Sequence, residues 1–166
     1  MDYERLFALA KPILERNDLG AAHTSRVLAI ARKNFIPAEL EDLTVAAIIL
    51  HDIGGASVKD QYEKGPSIAA SILQQMGCDK AFIEQVSAIV GTHHDHPDNP
   101  SVSFRVLYDS DKIVMFSPEE FLGYASREGF DWNKIVGLLY SEKAKTLARK
   151  MLRQRRKEKA NVPAEN

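Results

Sequence analysis

The sequence predicts an all-α protein, a single-domain helical bundle. Apolar residues recur at spacings of three and four along most of the chain, which places them on one face of a helix. One central segment, ELEDLTVAAIILH, turns apolar on all sides, as expected for a helix buried at the centre of a fold. Capping and breaking residues separate these segments, and 166 residues are enough for one substantial core.

The expected helices are bounded by start and stop signals. Asp79 and Ser101 are capping residues, and Pro66 suits the first turn of a helix. Runs such as VAAIIL and FRVLYD could form strands by periodicity alone, but their lengths and neighbours favour helix. The predicted helices cover residues 2–16, 20–34, 39–51, 66–76, 79–93, 101–116, 118–127 and 132–158, with loops at 52–65 and 92–100.

Composition and charge argue against several classes of protein. The 22 basic and 23 acidic residues nearly cancel, so overall charge predicts neither a nucleic-acid binder nor a membrane-surface protein. No apolar run approaches the roughly 20 residues that span a bilayer, and the N-terminal residues do not resemble a signal peptide. A single cysteine, Cys78, cannot form an internal disulfide and indicates a reducing compartment. We therefore expect a cytoplasmic protein with no membrane partner.

The C-terminal stretch is strongly basic. Residues 143–159 contain nine Lys or Arg residues, and a solvated surface helix is the better interpretation of them. We therefore do not expect nucleic acid as a partner; binding that weakens steeply with salt would support that alternative. The expected organisation is one domain over residues 1–150, followed by a basic helix end and a frayed tail at 151–166. The oligomeric state is left open, with a homodimer as one candidate.

Titratable residues fall on faces that the apolar pattern assigns to the core. His23 continues the apolar stripe of the second helix, and His51 and Asp52 end the central apolar segment. His93 and Asp111 take core-facing positions in two later helices. Burying a bare carboxylate costs several kcal/mol, and a divalent cation offsets that cost because it binds both carboxylate and imidazole. Two imidazoles with two carboxylates suit Mn, Fe, Co, Ni, Zn or Mg without distinguishing them.

Each of these residues also has a purely structural explanation. His23 could be a core histidine, and Asp111 could cap a helix or pair with Arg26 or Arg105. A His-Asp pair is a weak motif by itself. The ordered set of His, then His-Asp, then Asp, each on a separate helix, favours a metal site.

Three segments resemble the HD superfamily of metal-dependent phosphohydrolases. AAHTSRVLAIA resembles its first-histidine helix, AAIILHDIGG its His-Asp signature and VLYDSDKIV its final aspartate motif. The resemblance covers about residues 20–116 and implies an HD-domain bundle whose inner helices hold one divalent metal ion through His23, His51, Asp52 and Asp111. It implies a phosphomonoesterase or phosphodiesterase acting on a nucleotide or another small phosphorylated metabolite.

Departures from related subfamilies narrow this expectation. The histidine that two-metal relatives carry before the segment IAASIL is Gly65 here, which favours one metal and disfavours a di-iron oxygenase. Gly54 and Gly55 stand where some nucleotidases place a glutamate, so the general base is left open. The Gly-Tyr-Pro signature of cyclic-dinucleotide phosphodiesterases and the acidic pair of alarmone hydrolases are missing from the sequence. Because the glutamate is missing, a non-catalytic metal or nucleotide sensor domain without an effective base is the alternative function.

The catalytic candidates are Asp52, His93 and Arg26. Arg26 lies one turn after His23 and is the first candidate to neutralise phosphate charge, although it could equally pair with Asp52 or Asp109. His93 ends a core stripe, and we expect it to contact a phosphate or to move a proton.

Two further residues are candidates for substrate binding beside Arg26 and His93. His94 follows His93, and Lys112 follows Asp111, although a helix turns the two side chains about 100° apart. Ligation of a second metal is an alternative role for His93 and His94, whereas His96 fits a solvated loop.

Overall fold

The computed structural model describes residues 1–17 and 20–160, with side chains described through residue 158. Every regular element in these residues is helical, which confirms the predicted all-α fold. The predicted frayed end, NVPAEN, lies outside the described residues. The helices are α1 (Tyr3–Leu14), α2 (Gly20–Asn34), α3 (Glu41–Leu50), α4 (Val58–Gln75), α5 (Lys80–Val90), α6 (Val102–Val114), α7 (Pro118–Ala125), α8 (Trp132–Leu138) and α9 (Glu142–Ala160). A single 3-10 turn, Ala38–Leu40, precedes α3.

The chain divides into two compact units, Met1–Tyr108 and Asp109–Asn166. The first unit contains α1 to α5 and the first half of α6, and the second contains the remainder of α6 with α7 to α9. The boundary expected at residue 150 stays a prediction; α9 continues through that position. In the described part of the chain no helix has the length and apolar character needed to cross a membrane.

The core of the first unit is built around α3. This helix packs against α1, α2 and α5, and every residue from Thr44 to Leu50 is fully buried. The segment that is apolar on all sides is therefore a central helix, as its sequence predicted. Each fully buried Ile or Leu side chain contributes about 1.5–3 kcal/mol to folding, so α3 is a rigid support for the His51 and Asp52 that follow it.

Helix α4 begins earlier than the sequence predicted. The expected start was residue 66, but the helix starts at Val58, so the second half of the predicted loop 52–65 is helical. Ser57 caps it by accepting a hydrogen bond from the Asp60 amide at 3.1 Å. Pro66 stands inside the helix and not in its first turn. The prediction was wrong because the proline resembled a helix start more strongly than the serine cap did.

The predicted helix 132–158 is two helices, α8 and α9. The chain becomes extended at Leu139 and returns to helix at Glu142. The buried Asp109 carboxylate accepts hydrogen bonds from the Tyr140 amide (2.7 Å), the Ser141 amide (3.0 Å) and the Ser141 hydroxyl (2.8 Å). This cap comes from a residue about 30 positions earlier in the sequence, so the local pattern of residues 132–158 could not reveal the break.

Candidate metal centre

Two histidines are held in the same way by the ends of two helices. His51 follows α3, and its Nδ1 donates to the Ile48 carbonyl at 2.7 Å. His93 follows α5, and its Nδ1 donates to the Val90 carbonyl at 2.7 Å. A carbonyl oxygen can only accept, so Nδ1 carries the hydrogen in both rings and Nε2 is the second nitrogen. Histidines that bind metals are commonly oriented by a hydrogen bond of this kind.

The carboxylate of Asp52 faces three imidazoles. Its Oδ2 lies 3.3 Å from His51 Nε2 and 3.8 Å from His23 Nε2, and its Oδ1 lies 3.5 Å from His93 Nε2. All three histidines are at most 3% exposed, and the Asp52 side chain is 15% exposed. Asp52, the second residue after α3, thus lies at the centre of the cluster.

The atoms that face one another in this cluster favour a bound cation. With hydrogen on Nδ1, His51 and His93 direct the Nε2 lone pair towards the Asp52 oxygens, and two acceptors at these distances repel unless a proton or a cation lies between them. The buried His93 Nε2 has no hydrogen-bond partner among the described residues. Imidazole nitrogen with carboxylate oxygen is a donor set that first-row divalent metals accept. The residues present therefore fit a divalent metal ion.

Two overlapping groups of potential ligands share Asp52. Within each group the candidate ligand atoms lie within 4.8 Å of one another. The structure thus brings together three of the four ligands expected from the sequence, and it places His94 beside Asp52 as well. The two groups are His23, His51 and Asp52, and Asp52, His93 and His94.

Asp111 and Lys112 belong to the second unit and form an ion pair there. The Lys112 ammonium donates to Asp111 Oδ2 at 2.8 Å, and their side chains are 18% and 15% exposed. Neighbouring positions of a helix point about 100° apart, but the long lysine side chain folds back onto the carboxylate. The role of Asp111 as the fourth metal ligand stays a prediction, as does the role of Lys112 in binding phosphate.

Arg26 and His96 occupy the kinds of position that the sequence indicated. Arg26 lies on α2 one turn after His23 and is half-buried, and its contact with a phosphate stays a prediction. His96 is exposed, in agreement with a solvated loop, and its ring meets the Tyr108 ring edge-on at 5.4 Å between centroids.

Gln61 is a site residue that the sequence did not reveal. Its Nε2 donates to Asp52 Oδ1 at 2.9 Å and to the Gly55 carbonyl at 3.0 Å, and its Oε1 accepts a hydrogen bond from His94 Nε2. The side chain is 7% exposed. The sequence pattern assigns residue 61 to a loop, whereas the cap at Ser57 places it on the first turn of α4.

The glycines at positions 54 and 65, where related subfamilies carry a glutamate and a histidine, have a steric explanation. A Cβ on Gly54 would lie 2.5 Å from Gln61 Cα and 2.8 Å from the Gly65 nitrogen, which is too close for any side chain. A Cβ on Gly65 would lie 3.2 Å from Val90 Cγ1. Helix α4 therefore packs directly on the loop after Asp52. A glutamate at 54 would require the two backbones to separate, and a histidine at 65 would press on the Val90 side chain.

Other residues fix the backbone around the cluster. The Asn17 side chain donates to the Asp52 carbonyl at 2.7 Å. The Tyr62 hydroxyl donates to Asp95 Oδ1 at 2.7 Å, and this hydrogen bond, followed by burial, raises the pKa of Tyr62 to about 12. The hydroxyl therefore keeps its proton at neutral pH and ties the turn after α5 to α4.

A separate groove of about 490 Å³ lies between α1 and α2. None of the residues predicted for the metal site lines it, so we do not assign the chemistry to this groove. Its lining is mainly apolar and includes Tyr3, Phe7, Leu28 and Arg32.

The helical fold and the buried cluster of histidines around an aspartate together define a class of protein, a helical domain with a site suited to a divalent metal. The sequence model of the HD domain family matches residues 20–115. This range contains every member of the cluster, and the chain belongs to the HD domain family. No curated protein and no solved structure matches the chain.

Proposed function

We propose that the protein is a metal-dependent phosphohydrolase that hydrolyses a phosphate ester of a nucleotide or another small phosphorylated metabolite. The observation that carries the proposal is the Asp52 carboxylate facing buried imidazole nitrogens at 3.3–3.8 Å, in a chain of the HD domain family. His23, His51 and Asp52 would hold the cation, with Asp111 as the expected fourth ligand. When bound, a divalent cation polarises the phosphoryl group and lowers the pKa of water.

His93 is proposed to handle the proton or the substrate. It is buried, and Nδ1 is committed to the Val90 carbonyl, so Nε2 is the atom that can accept a proton or contact a phosphate oxygen. Arg26, His94 and Lys112 are the proposed phosphate contacts, because a transferring phosphoryl group needs positive charge or hydrogen-bond donors around it.

A sensor domain that binds without turnover is the second candidate function. Gly54 leaves no space for a carboxylate at the place where a general base is found in some relatives, and the neighbouring side chain is the neutral amide of Gln61. An amide can position a ligand but cannot take a proton from water at neutral pH.

A metal-by-substrate screen separates the two functions. The purified protein is stripped of metal, reloaded with Mn, Fe, Co, Ni, Zn or Mg in turn, and assayed with nucleotides, cyclic nucleotides, dinucleotides and sugar phosphates. We expect hydrolysis in the wild type and in His96→Ala, an exposed control, and no hydrolysis in Asp52→Asn. Saturable binding of a nucleotide without product formation under any metal would favour the sensor instead.

A further inference from the structure

Gln61 lies against the loop that follows Asp52, here called the His-Asp loop, because Gly54 and Gly65 let α4 approach this loop closely. Gly54 has no side chain, and a Cβ there would lie 2.5 Å from Gln61 Cα. The cap at Ser57 starts α4 early enough for Gln61 to fall on the first turn. The Gln61 carboxamide thereby reaches the Asp52 carboxylate from a buried position.

The hydrogen bonds of Gln61 fix the orientation of its amide. The Asp52 carboxylate and the Gly55 carbonyl can only accept, so the amide NH2 group must face them, at 2.9 and 3.0 Å. The amide oxygen then faces His94, whose Nε2 must carry a hydrogen in order to donate to it. The carboxamide therefore links Asp52 to His94 with all its polar atoms engaged.

This link uses two residues that a second cation would need as ligands. Asp52, His93 and His94 form the second group of potential ligands. An Nε2 atom that donates to Gln61 cannot coordinate through a lone pair at the same time, and Asp52 Oδ1 already accepts from the amide. Gln61 thus engages Asp52 and His94 in hydrogen bonds to a neutral amide. A second ion would need the same two residues as ligands.

We propose that Gln61 is a positioning residue that limits the centre to one metal ion, by holding Asp52 and His94 in a hydrogen-bonded link that excludes a second cation. The inference rests on the proposed metal-dependent function, and it explains why the proposed centre would hold one ion and not two. The expected wild type has one tightly bound ion and a second equivalent that binds weakly. Hydrogen bonds to the ligands of a metal change its affinity by about 10- to 100-fold. Breaking the link should therefore lower the dissociation constant of the second ion by that factor.

Two variants of Gln61 test the proposal. Gln61→Glu keeps the shape but replaces the amide donor with a carboxylate, which repels Asp52 and attracts a cation. Gln61→Met removes both the donor and the acceptor without adding charge, so it remains informative if the glutamate variant does not fold. Gln85→Glu makes the same chemical change at an exposed position of α5 and is the matched control.

The measurement is Mn²⁺ binding, by titration calorimetry and by metal analysis after gel filtration, with electron paramagnetic resonance to detect two coupled ions. We expect one tightly bound Mn²⁺ per chain in the wild type and in Gln85→Glu. In Gln61→Glu we expect two bound Mn²⁺ ions with a coupled signal. In Gln61→Met we expect the dissociation constant of the second Mn²⁺ to fall about 10-fold. Two tight ions in the wild type, or one in both Gln61 variants, would overturn the proposal. No tight ion in the wild type would contradict the metal-dependent function itself.

Discussion

Asp52 is the residue on which the candidate centre depends. Its backbone carbonyl is held by Asn17, its Oδ1 by Gln61, and both carboxylate oxygens face imidazole nitrogens. The helix before it supplies rigidity, because α3 is fully buried from Thr44 to Leu50. A carboxylate fixed in this way cannot turn towards water, so its negative charge is available to a cation at little cost in side-chain order.

We expect His51→Ala, Asp52→Asn and Asp111→Asn each to lose nearly all tightly bound metal and all hydrolysis. Each change removes one proposed ligand, and the remaining ligands leave the ion partly hydrated and weakly held. Metal content per folded chain and turnover are the measurements, with His96→Ala as the exposed control. A variant with full metal content and full turnover would remove its residue from the ligand set.

His93→Ala should slow hydrolysis while sparing the tight ion. The reason is that His93 is assigned to the proton or the substrate, and loss of a positioned general acid or base costs typically 10²- to 10⁴-fold in rate. Metal analysis and steady-state kinetics on the same preparation test this. Loss of metal in parallel with turnover would place His93 among the ligands.

The sequence predicted the residues of this centre better than their contacts. The apolar stripes put His23 and His51 on core faces, and the structure brings both to Asp52. Gln61 could not be found in this way, because a polar residue in a presumed loop carries no periodic signal. Its position depends on how closely α4 packs on Gly54, which is a property of the folded chain.

At the scale of the elements, the approach of α4 to the His-Asp loop can be tested at Gly54. We expect Gly54→Ala to lower the free energy of unfolding by about 1–3 kcal/mol, as overpacking usually does, and to weaken metal binding because Gln61 is displaced. Gly123→Ala in α7 is the control, since nothing lies within 4 Å of its Cβ and alanine stabilises a helix by about 0.5–1 kcal/mol over glycine. Urea denaturation measures both, and unchanged stability and metal affinity in Gly54→Ala would contradict the packing argument.

The break between α8 and α9 depends on Asp109. Asp109→Ala leaves the partly buried amides of Tyr140 and Ser141 without their acceptor, and a buried donor left unsatisfied costs about 1–3 kcal/mol. We expect an overall loss of about 3 kcal/mol, read by urea denaturation, with faster amide hydrogen exchange at the start of α9. Asp131→Ala is the matched control, because Asp131 caps α8 through a single exposed hydrogen bond to Asn133 and should cost about 1 kcal/mol. Equal losses in the two variants would mean that the remote cap adds nothing.

These two elements also mark the limit of prediction from local pattern. The existence and class of nearly every helix followed from apolar spacing, and α2 begins and ends where the sequence placed it. Both errors, at α4 and at α8–α9, arose where a contact distant in sequence or a misplaced proline decided the boundary. A periodic signal reports which face of a helix is buried, but it does not report which partner caps its end.

At the scale of the whole molecule, metal binding and folding are coupled. His23 and His51 are 28 positions apart in the sequence, and only the folded chain brings their rings to 5.5 Å. An ion that needs both therefore binds the folded state and not the unfolded one. Its binding free energy adds to the stability of the chain.

We accordingly expect divalent metal to raise the melting temperature of the wild type. At free metal 100-fold above its dissociation constant, the gain is about 2.7 kcal/mol, which corresponds to about 5–10 °C for a chain of this size. The measurement is thermal denaturation followed by circular dichroism, with and without metal. His96→Ala should show the same gain.

Asp52→Asn provides the decisive comparison because it should reverse the order of stability. Without metal, the variant should melt at or above the wild-type temperature, since the amide oxygen can still accept from Gln61 while the carboxylate charge facing the imidazoles is gone. With metal, the wild type should gain and the variant should not, so that the wild type becomes the more stable protein. Equal stabilisation of the two by metal would mean that the ion acts at another place on the chain.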